Sequence, residues 1–353
     1  MSRLVSKQYC DEMTLLAYDI EVEDNHNYFA EGILVHNCKN LNTQQGQGIL
    51  MIQPTYRIGM TGTPLMNSPL DLYAILKWLG YQRYGYMSFK EHFCHTDDYG
   101  NVTGYKNIDQ LEGQLDSIML RRTKAQVLDL PDKIYKTEYV ELTDEQVHLY
   151  NQVLDGVIDD PNIDDAIPTD TVLATYCRLR QVSGGITPFN FIKKNPKLDR
   201  MEQIVEEAIY SGTKVIIYSN WVEALKPAIA RLQKYNPGVI TGETKDAERQ
   251  AIVHKFQNDD TCKVILGTIG AMGTGLTLTA ATEVIFLDEP WNDATKQQAI
   301  DRCHRIGTKS AITVHTIIGY ATYDMNVHSI VLGRRDMSAA IVDKDALAKL
   351  RIA

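Results

Sequence analysis

"KVILGTIGAMGTGLTLTAATEVIFLDEPWNDATKQQAIDRCHRIGTKSAITVHTII", residues 263–318, decides the fold. Three β-branched runs, 263–268, 283–290 and 311–318, are of strand length and too short for helices. Stretches of helical character separate them. Strand, helix, strand in this rhythm predicts a parallel sheet with crossover helices. Within the last connection Gln298, Arg302 and Arg305 stand at i, i+4 and i+7, which puts them on one face of the helix expected there. A Gln-Arg-Arg face at that place is an expected way to meet phosphate.

Toward the N-terminus, KVIIYS (214–219) and GVITG (238–242) add two more strands, so the rhythm begins near 195. Before it, "ELTDEQVHLYNQVL" (141–154) predicts a helix with Thr143 as its N-cap. A loop rich in Asp, Asn and Pro at 158–170 leads from it to "VLATYCRLRQVSGGIT". Helical segments are expected around 88–95 and 107–129, the second holding Arg121-Arg122-Thr123-Lys124. "YRIGMTGTPLMNSPLDLYAILKWLG" (56–80) reads as a buried strand ending in Thr61-Gly62-Thr63-Pro64, then an amphipathic helix.

The 353 residues, 44% hydrophobic and 23% charged, have globular composition and room for more than one domain. There is no apolar run of membrane-spanning length, so no membrane partner is expected, and MSRLVSKQYCDEM has no signal-peptide core. The six cysteines, at 10, 38, 94, 177, 262 and 303, form no CxxC pair and no metal-ligand spacing, as in a reduced, cytoplasmic protein. Of the net charge of −9, residues 1–37 carry −5, because Arg3 and Lys7 face seven carboxylates. Bulk charge gives nucleic-acid binding no support; a local basic groove would have to supply it.

Residues 15–37 read differently from the rest. Ile20 and Val22 alternate with Asp19, Glu21 and Glu23; residues 24–27 are turn-rich; Tyr28-Phe29-Ala30 and Ile33-Leu34-Val35 flank a tight Glu31-Gly32 turn. Short strands are expected, and a boundary near 37. At that boundary stands His36-Asn37-Cys38. An asparagine amide can attack its own backbone carbonyl, closing a succinimide and breaking the following peptide bond. A neighbouring imidazole helps supply the proton for the leaving nitrogen. A cysteine just past that bond offers a thiolate able to attack an ester or thioester.

The segment 14–38 resembles the C-terminal blocks of an intein, the small all-β hedgehog/intein fold. Asp19 and His26, in "YDIEVEDNHNYFA", match that family's acidic and histidine positions, and "GILVHN" with Cys38 matches its terminal block. The resemblance implies that His36 assists, that Asn37 ends the intein and that Cys38 begins the C-extein. An N-terminal nucleophile and the Thr-x-x-His block do not fit in residues 1–36, and the chain opens with Met1. It therefore looks like the C-terminal half of a split intein whose partner polypeptide holds the other half. A contiguous intein with its front cut away in gene calling is the alternative.

From residue 38 to about 320 a second resemblance holds. GMTGTPLMN, LRRTKAQVLDLPDK, KVIIYSNW, TGET followed by ERQAIVHKFQ, TIGAMGTGLTLTAA, VIFLDEPWN and QAIDRCHRIG resemble, in order, the Swi/Snf branch of superfamily-two helicase-like ATPases. That family closes two RecA-like lobes on ATP and Mg2+ and moves along double-stranded DNA. The resemblance implies arginine fingers at Arg302 and Arg305. It places Gly273, Gly275 and Gln298 on the ATP side of the cleft, and Thr61, Gly62, Thr63 and Thr268 toward DNA. Thr308 departs from the pattern, which commonly has glutamine there.

Two look-alikes are set aside. "VIFLDEP" imitates a Walker B strand, but Trp291-Asn292 and the Gln-Arg-Arg segment follow it, so Asp288 is expected to brace a loop. "GTKS" at 307–310 lacks the upstream glycine of a phosphate loop. Residues 1–353 contain neither a phosphate loop nor Asp-Glu-x-His, and so no metal-binding residues are assigned in this chain. Cys38-Lys39-Asn40 supplies the tail that follows Asp-Glu-x-His in the family, so the intein interrupts the ATPase inside its metal-binding motif.

The expected organisation is an intein fragment at 1–37, the end of a first RecA-like lobe with a helical insertion at 38–130, and a helical linker at 131–194. A complete second lobe at 195–335 and a tail at 336–353 follow. The expected function is a trans-splicing precursor, in a microbe or phage-infected cell, of a DNA-dependent ATPase. Its partner would be an N-terminal intein half carrying the phosphate loop and Asp-Glu-x-His. The competing reading is a stand-alone nucleic-acid-binding or regulatory fragment with an unspliced β-appendage.

Overall fold

Val215, Ile216, Ile217 and Tyr218 expose no surface, and the whole of 214–219 is buried. Such a segment must pair its peptide groups on both edges and pack side chains on both faces, as a central strand does. The computed structural model describes residues 3–9, 16–21, 28–30, 33–35, 57, 59, 68–82, 84–120, 128–154, 172–185, 194–273 and 275–342. The chain divides into two compact units, Met1–Met119 with Met337–Ala353, and Leu120–Asp336.

In the first unit, β1 (Arg3–Tyr9) and β2 (Leu16–Glu21) pair antiparallel. β3 (Tyr28–Ala30) and β4 (Ile33–Val35) pair antiparallel with Ala30 opposite Ile33; the turn expected at Glu31-Gly32 lies outside the described residues. Helix α1 (Asp71–Leu79) buries Leu72, Tyr73, Ala74, Leu76 and Trp78 and stops at Gly80, whose φ of 85° closes the last turn. Its apolar face packs with Phe89 and Phe93 of α2 (Tyr86–Phe93) and with Leu111 and Leu115 of α3 (Ile108–Ile118). Between α2 and α3 lies a hairpin of β5 (Cys94–Thr96) and β6 (Val102–Tyr105). The helix expected over 88–95 therefore ends at Phe93, because Cys94 turns extended and pairs with Tyr105. The second expected helix stops at Ile118, well short of 129.

The second unit is built on a six-stranded, wholly parallel sheet. Its elements in chain order are β7 (Lys133–Val140), α4 (Asp144–Leu154), α5 (Val172–Ser183), α6 (Pro196–Tyr210) and β8 (Lys214–Ser219). Then come α7 (Val222–Leu232), β9 (Gly238–Ile240), α8 (Asp246–Asn258), β10 (Val264–Thr268) and the short α9 (Ile269–Met272). β11 (Ala281–Phe286), α10 (Asp293–Ile300), β12 (Ile312–Gly319) and α11 (Tyr323–Val342) complete it. The strand order is β7-β12-β11-β8-β10-β9. Alternate residues of β8 enter opposite layers. Ile216 and Tyr218 pack with Phe256 of α8 and with Ala299 and Ile300 of α10, whereas Val215 and Ile217 pack with α6 and α7 through Met201, Val205, Leu225 and Ala228.

The five strands expected from 195 onward are all present and all parallel. The sixth is a correction to the expected helical linker at 131–194. Residues 133–140 form an edge strand that pairs with β12 along its full length, Lys133 with Ile312 through Val140 with Gly319. The last expected boundary, at 335, falls inside α11. Thr143 caps α4 as expected. Its Oγ1 accepts from the Gln146 N–H (3.3 Å), while Gln146 Oε1 accepts from the Thr143 N–H (3.1 Å), a reciprocal capping box.

Candidate functional site

The loop from Gly273 to Ala280 leads from α9 back to the start of β11, at the edge of the sheet where its strands begin. Gly273 has no room for a side chain, since a Cβ there would meet the Ile269 carbonyl oxygen at 2.5 Å. Gly275 has a φ of 71°, in the left-handed region that favours glycine. Gln257 of α8 holds the far end of the loop, donating to Thr279 Oγ1 (3.1 Å) and accepting from the Ala280 N–H (2.9 Å). On the other side the Leu278 N–H donates to the Arg302 carbonyl (2.8 Å), and Arg305 Nη1 donates to Thr277 Oγ1 (2.9 Å). The glycine loop and the arginine segment are thus laced together. A hydroxyl partner orients the Arg305 guanidinium without neutralising it.

The expected single helical face for Gln298, Arg302 and Arg305 is corrected. α10 ends at Ile300, and Arg302 and Arg305 lie in the turns after it. The physical cause is competition for carbonyls. The Tyr218 hydroxyl donates to the Ala299 carbonyl (3.0 Å), and the Arg302 and Cys303 N–H groups bond three residues back instead of four. Arg302 Nε reaches the Gln298 carbonyl (3.2 Å), so these two meet through the backbone. Burial, with Arg305 close by, pushes Arg302 below its ordinary value; a guanidinium nonetheless stays charged. Thr308, buried, accepts from the Arg305 N–H (3.1 Å) and donates to the Cys303 carbonyl, closing the 305–308 turn. That is the local work of the residue which departs from the family pattern.

Two adjacent guanidinium groups beside a glycine loop are suited to a polyphosphate anion. Among the described residues no group of three His, Cys, Asp or Glu is placed to hold a metal ion. Thr268 ends β10, at the opposite edge from Arg302 and Arg305, and is half-buried. Asp19 lies in β2, its backbone opposite Ser6. His26, His36, Asn37, Cys38, Thr61, Gly62 and Thr63 lie outside the described residues.

At the edge where the strands end, Asp288 braces the turn after β8, as expected. It accepts from Ser219 Oγ, from the Asn220 N–H (2.8 Å) and from the Asn220 side-chain amide. Around it lies a buried ionic cluster that no sequence pattern announced. Lys197 of α6 donates to Asp324 Oδ2 (2.6 Å); Ser183 of α5 and the Gly319 N–H (3.2 Å) bond the same oxygen. Lys296 of α10 joins Glu289 to Thr316 (2.9 Å), and His328 meets the other Glu289 oxygen (2.8 Å). Burial raises the Asp324 carboxyl, but Lys197, Ser183 and Arg180 outweigh it, so the group sits below the usual carboxylate range. For Glu289 the same balance, set by His328 and Lys296, also falls below that range. For Asp288 burial wins, and its value is raised.

The comparisons with known proteins agree with this architecture. The SNF2-related domain profile matches residues 31–184, and the helicase conserved C-terminal domain profile matches residues 196–307. Neither covers residues 1–30, and the first begins upstream of Cys38, so neither supports the intein-like reading. An uncharacterised ATP-dependent helicase of Mycoplasma genitalium, MG018, is 29% identical over 82% of this chain and 28% of its own length. The TATA-binding protein-associated factor MOT1 of Saccharomyces cerevisiae is 27% identical over 94% of this chain and 22% of its own. The chain thus spans about a quarter of the length of these two relatives. The C-terminal part of the Fun30 ATPase domain superposes with a TM-score of 0.51 at 17% identity, over 57% of this chain and 89% of that one, a likeness of fold. No helix among the described residues is long and apolar enough to cross a membrane. The chain is thus similar to the SNF2-related domain over residues 31–184 and to the helicase conserved C-terminal domain over residues 196–307, and the proteins it resembles include one described as an ATP-dependent helicase.

Proposed function

We propose that this chain is a splicing precursor whose mature product is an ATP-driven motor on double-stranded DNA. The observation that carries the motor half is Arg305 fixed on Thr277 next to Arg302, on a parallel-sheet domain of SNF2-family kinship. Phosphoryl transfer needs a cradle of backbone amides with a lysine, a carboxylate-held Mg2+, and positive charge on the γ-phosphate in the transition state. Arg302 and Arg305 supply the last of these, Arg305 oriented by Thr277. Gly273, Gly275 and Gln298 border the nucleotide, and Thr61, Gly62, Thr63 and Thr268 approach DNA. The phosphate loop and the Asp-Glu-x-His that hold ATP and Mg2+ belong to the N-extein. When bound, the metal neutralises charge developing on the β- and γ-phosphate oxygens.

The splicing half rests on the order His36-Asn37-Cys38 after two short hairpin-forming segments. Cys38 attacks the ester or thioester that joins the N-extein to the N-terminal intein half. Asn37 then cyclises and releases the intein, with His36 and His26 moving the proton and Asp19 holding or deprotonating the thiol. The N-terminal intein half comes from a partner polypeptide. Joining Cys38-Lys39-Asn40 to Asp-Glu-x-His completes the first lobe.

Co-expression with a candidate N-terminal half, followed by intact mass measurement, tests this. The expected products are a ligated protein starting its C-extein at Cys38 and a free 1–37 segment ending in succinimide. Asn37→Ala should accumulate the branched intermediate, with the N-extein held as a thioester on Cys38, and Cys38→Ala should abolish ligation. Ligated product from Asn37→Ala would overturn the assignment. DNA-stimulated ATP hydrolysis by unspliced 1–353 would favour the stand-alone reading, to which the SNF2-related match beginning at residue 31 already lends weight.

A further inference from the structure

Arg180 has only 1% of its surface exposed, and it lies in an insertion far in sequence from the glycine loop and the arginine turns. On α5, Tyr176, Arg180 and Ser183 stand at i, i+4 and i+7 and face the edge where the strands end. Each has a partner there. Tyr176 stacks on Tyr323 (4.3 Å between centroids, 2° between planes), and Ser183 donates to Asp324. The Arg180 guanidinium carbon lies 4.5 Å from the Trp291 ring centroid and 5.3 Å from that of Trp221. Its Nη2 donates to the Glu289 carbonyl, and its Nε is 3.6 Å from Asp324 Oδ1. Nε and Nη1 have no hydrogen-bond partner, so a buried charge is held here with incomplete satisfaction. That arrangement is costly and persists only where surrounding packing imposes it.

Glu289 and Trp291 belong to the turn between β11 and α10. The Glu289 side chain continues to Lys296, in the middle of α10, and Asn292 caps the helix by accepting from the Thr295 N–H (2.8 Å). α10 delivers the chain to Arg302 and Arg305 at the opposite edge of the sheet. Ser219 and Asn220, which also hold this turn, come from the sheet's own strand β8 and the residue after it. Arg180 alone among these named contacts comes from the α4–α5 insertion.

We propose that Arg180 is a positioning residue. By gripping Trp291 and the Glu289 carbonyl it sets the 287–292 turn, and so the placement of α10 and of the two arginines that follow it. A displacement of α5 is thereby transmitted to the arginine turns. The catalytic consequence rests on the function proposed above; the structural one does not. Lysine would keep the charge beside Asp324 but lose the planar fork and its stacking on two indoles.

The test uses Arg180→Lys and, as a second variant that leaves the cluster's charges in place, Trp291→Leu. Hydrogen exchange is read on full-length 1–353, and ATP turnover on the ligated protein. Both variants should speed exchange of amides 289–304 at least tenfold while those of β8 and β10 stay protected. In the ligated protein kcat should fall on the order of 10- to 100-fold, with KM for ATP within about twofold, as misplacement of a catalytic group predicts. Exchange unchanged at 289–304, or raised evenly across the unit, would overturn the proposal. So would a kcat loss matched by the unfolded fraction. If the ligated wild type hydrolyses no ATP, the proposed function fails, and the exchange result alone decides for or against Arg180.

Discussion

Asp324→Asn isolates what the buried cluster contributes to stability. The carboxylate is 6% exposed and accepts from Lys197, Ser183 and Gly319, with Arg180 close by. Asparagine keeps the volume and one acceptor but leaves Lys197 and Arg180 as buried cations short of a counter-charge. Removing one partner of a buried pair costs about 3–5 kcal/mol. For a unit of this size each kcal/mol lowers Tm by about 2–4 °C, so a loss of about 6–20 °C is expected in calorimetry of the full chain. Asp288→Asn serves as the internal contrast, because Asp288 is equally buried but its value is raised, not lowered. Its ionised form is already disfavoured in the fold, so the amide should cost less than about 1 kcal/mol, with only hydrogen bonds at stake. The pH dependence separates the two by sign. Asp324 contributes stability above the ordinary carboxylate range that is lost as pH falls through its lowered folded value. Asp288 contributes stability below its ordinary value that is lost as pH rises through its raised one. Asp324→Asn should therefore flatten the acid limb of the stability profile, and Asp288→Asn should not. Equal costs for the two substitutions, or less than about 1 kcal/mol for Asp324→Asn, would refute the reasoning.

Three further outcomes are expected. Arg305→Ala in the ligated protein should abolish DNA-stimulated turnover while leaving nucleotide binding within a few-fold, measured by steady-state hydrolysis beside equilibrium titration. Gln146→Ala should cost about 2–3 kcal/mol in urea unfolding, since Gln146 closes the capping box of α4 and also donates to the Val182 carbonyl at 3.1 Å. Glu138 is raised by burial but lowered further by His315 and Arg200, so its contribution is lost as pH falls through the lowered folded value. Glu138→Gln should accordingly reduce stability at neutral pH and make it less sensitive to acid, as followed by thermal unfolding between neutral and acidic pH.

The sequence by itself determined the sheet of the second unit. β8, β10, β11 and β12 are short apolar runs of β-branched residues, and such runs have few places to go other than a sheet covered on both faces. The hairpin at 28–35, the cap at Thr143 and the loop-bracing part of Asp288 were legible too, because each depends on residues close in sequence or on an ordered run of motifs. The edge strand β7 was not. "KIYKTEYV" mixes charge with aromatics, and five of its eight residues are exposed and none is fully buried, so it does not read as core. Its identity comes from pairing with β12, where His315 meets Glu138 across 177 residues of chain. The end of α10 was likewise decided from outside. The local pattern of Gln298, Arg302 and Arg305 favours continued helix, but the Tyr218 hydroxyl and the Leu278 N–H claim carbonyls at its end. Arg180 is the clearest case. In one dimension it is a charge in the middle of a helix, the sort of residue that ordinarily faces water. Only the folded chain brings two indoles, a carbonyl and Asp324 around it, and buried electrostatics depends on that convergence in space and not on spacing along the sequence.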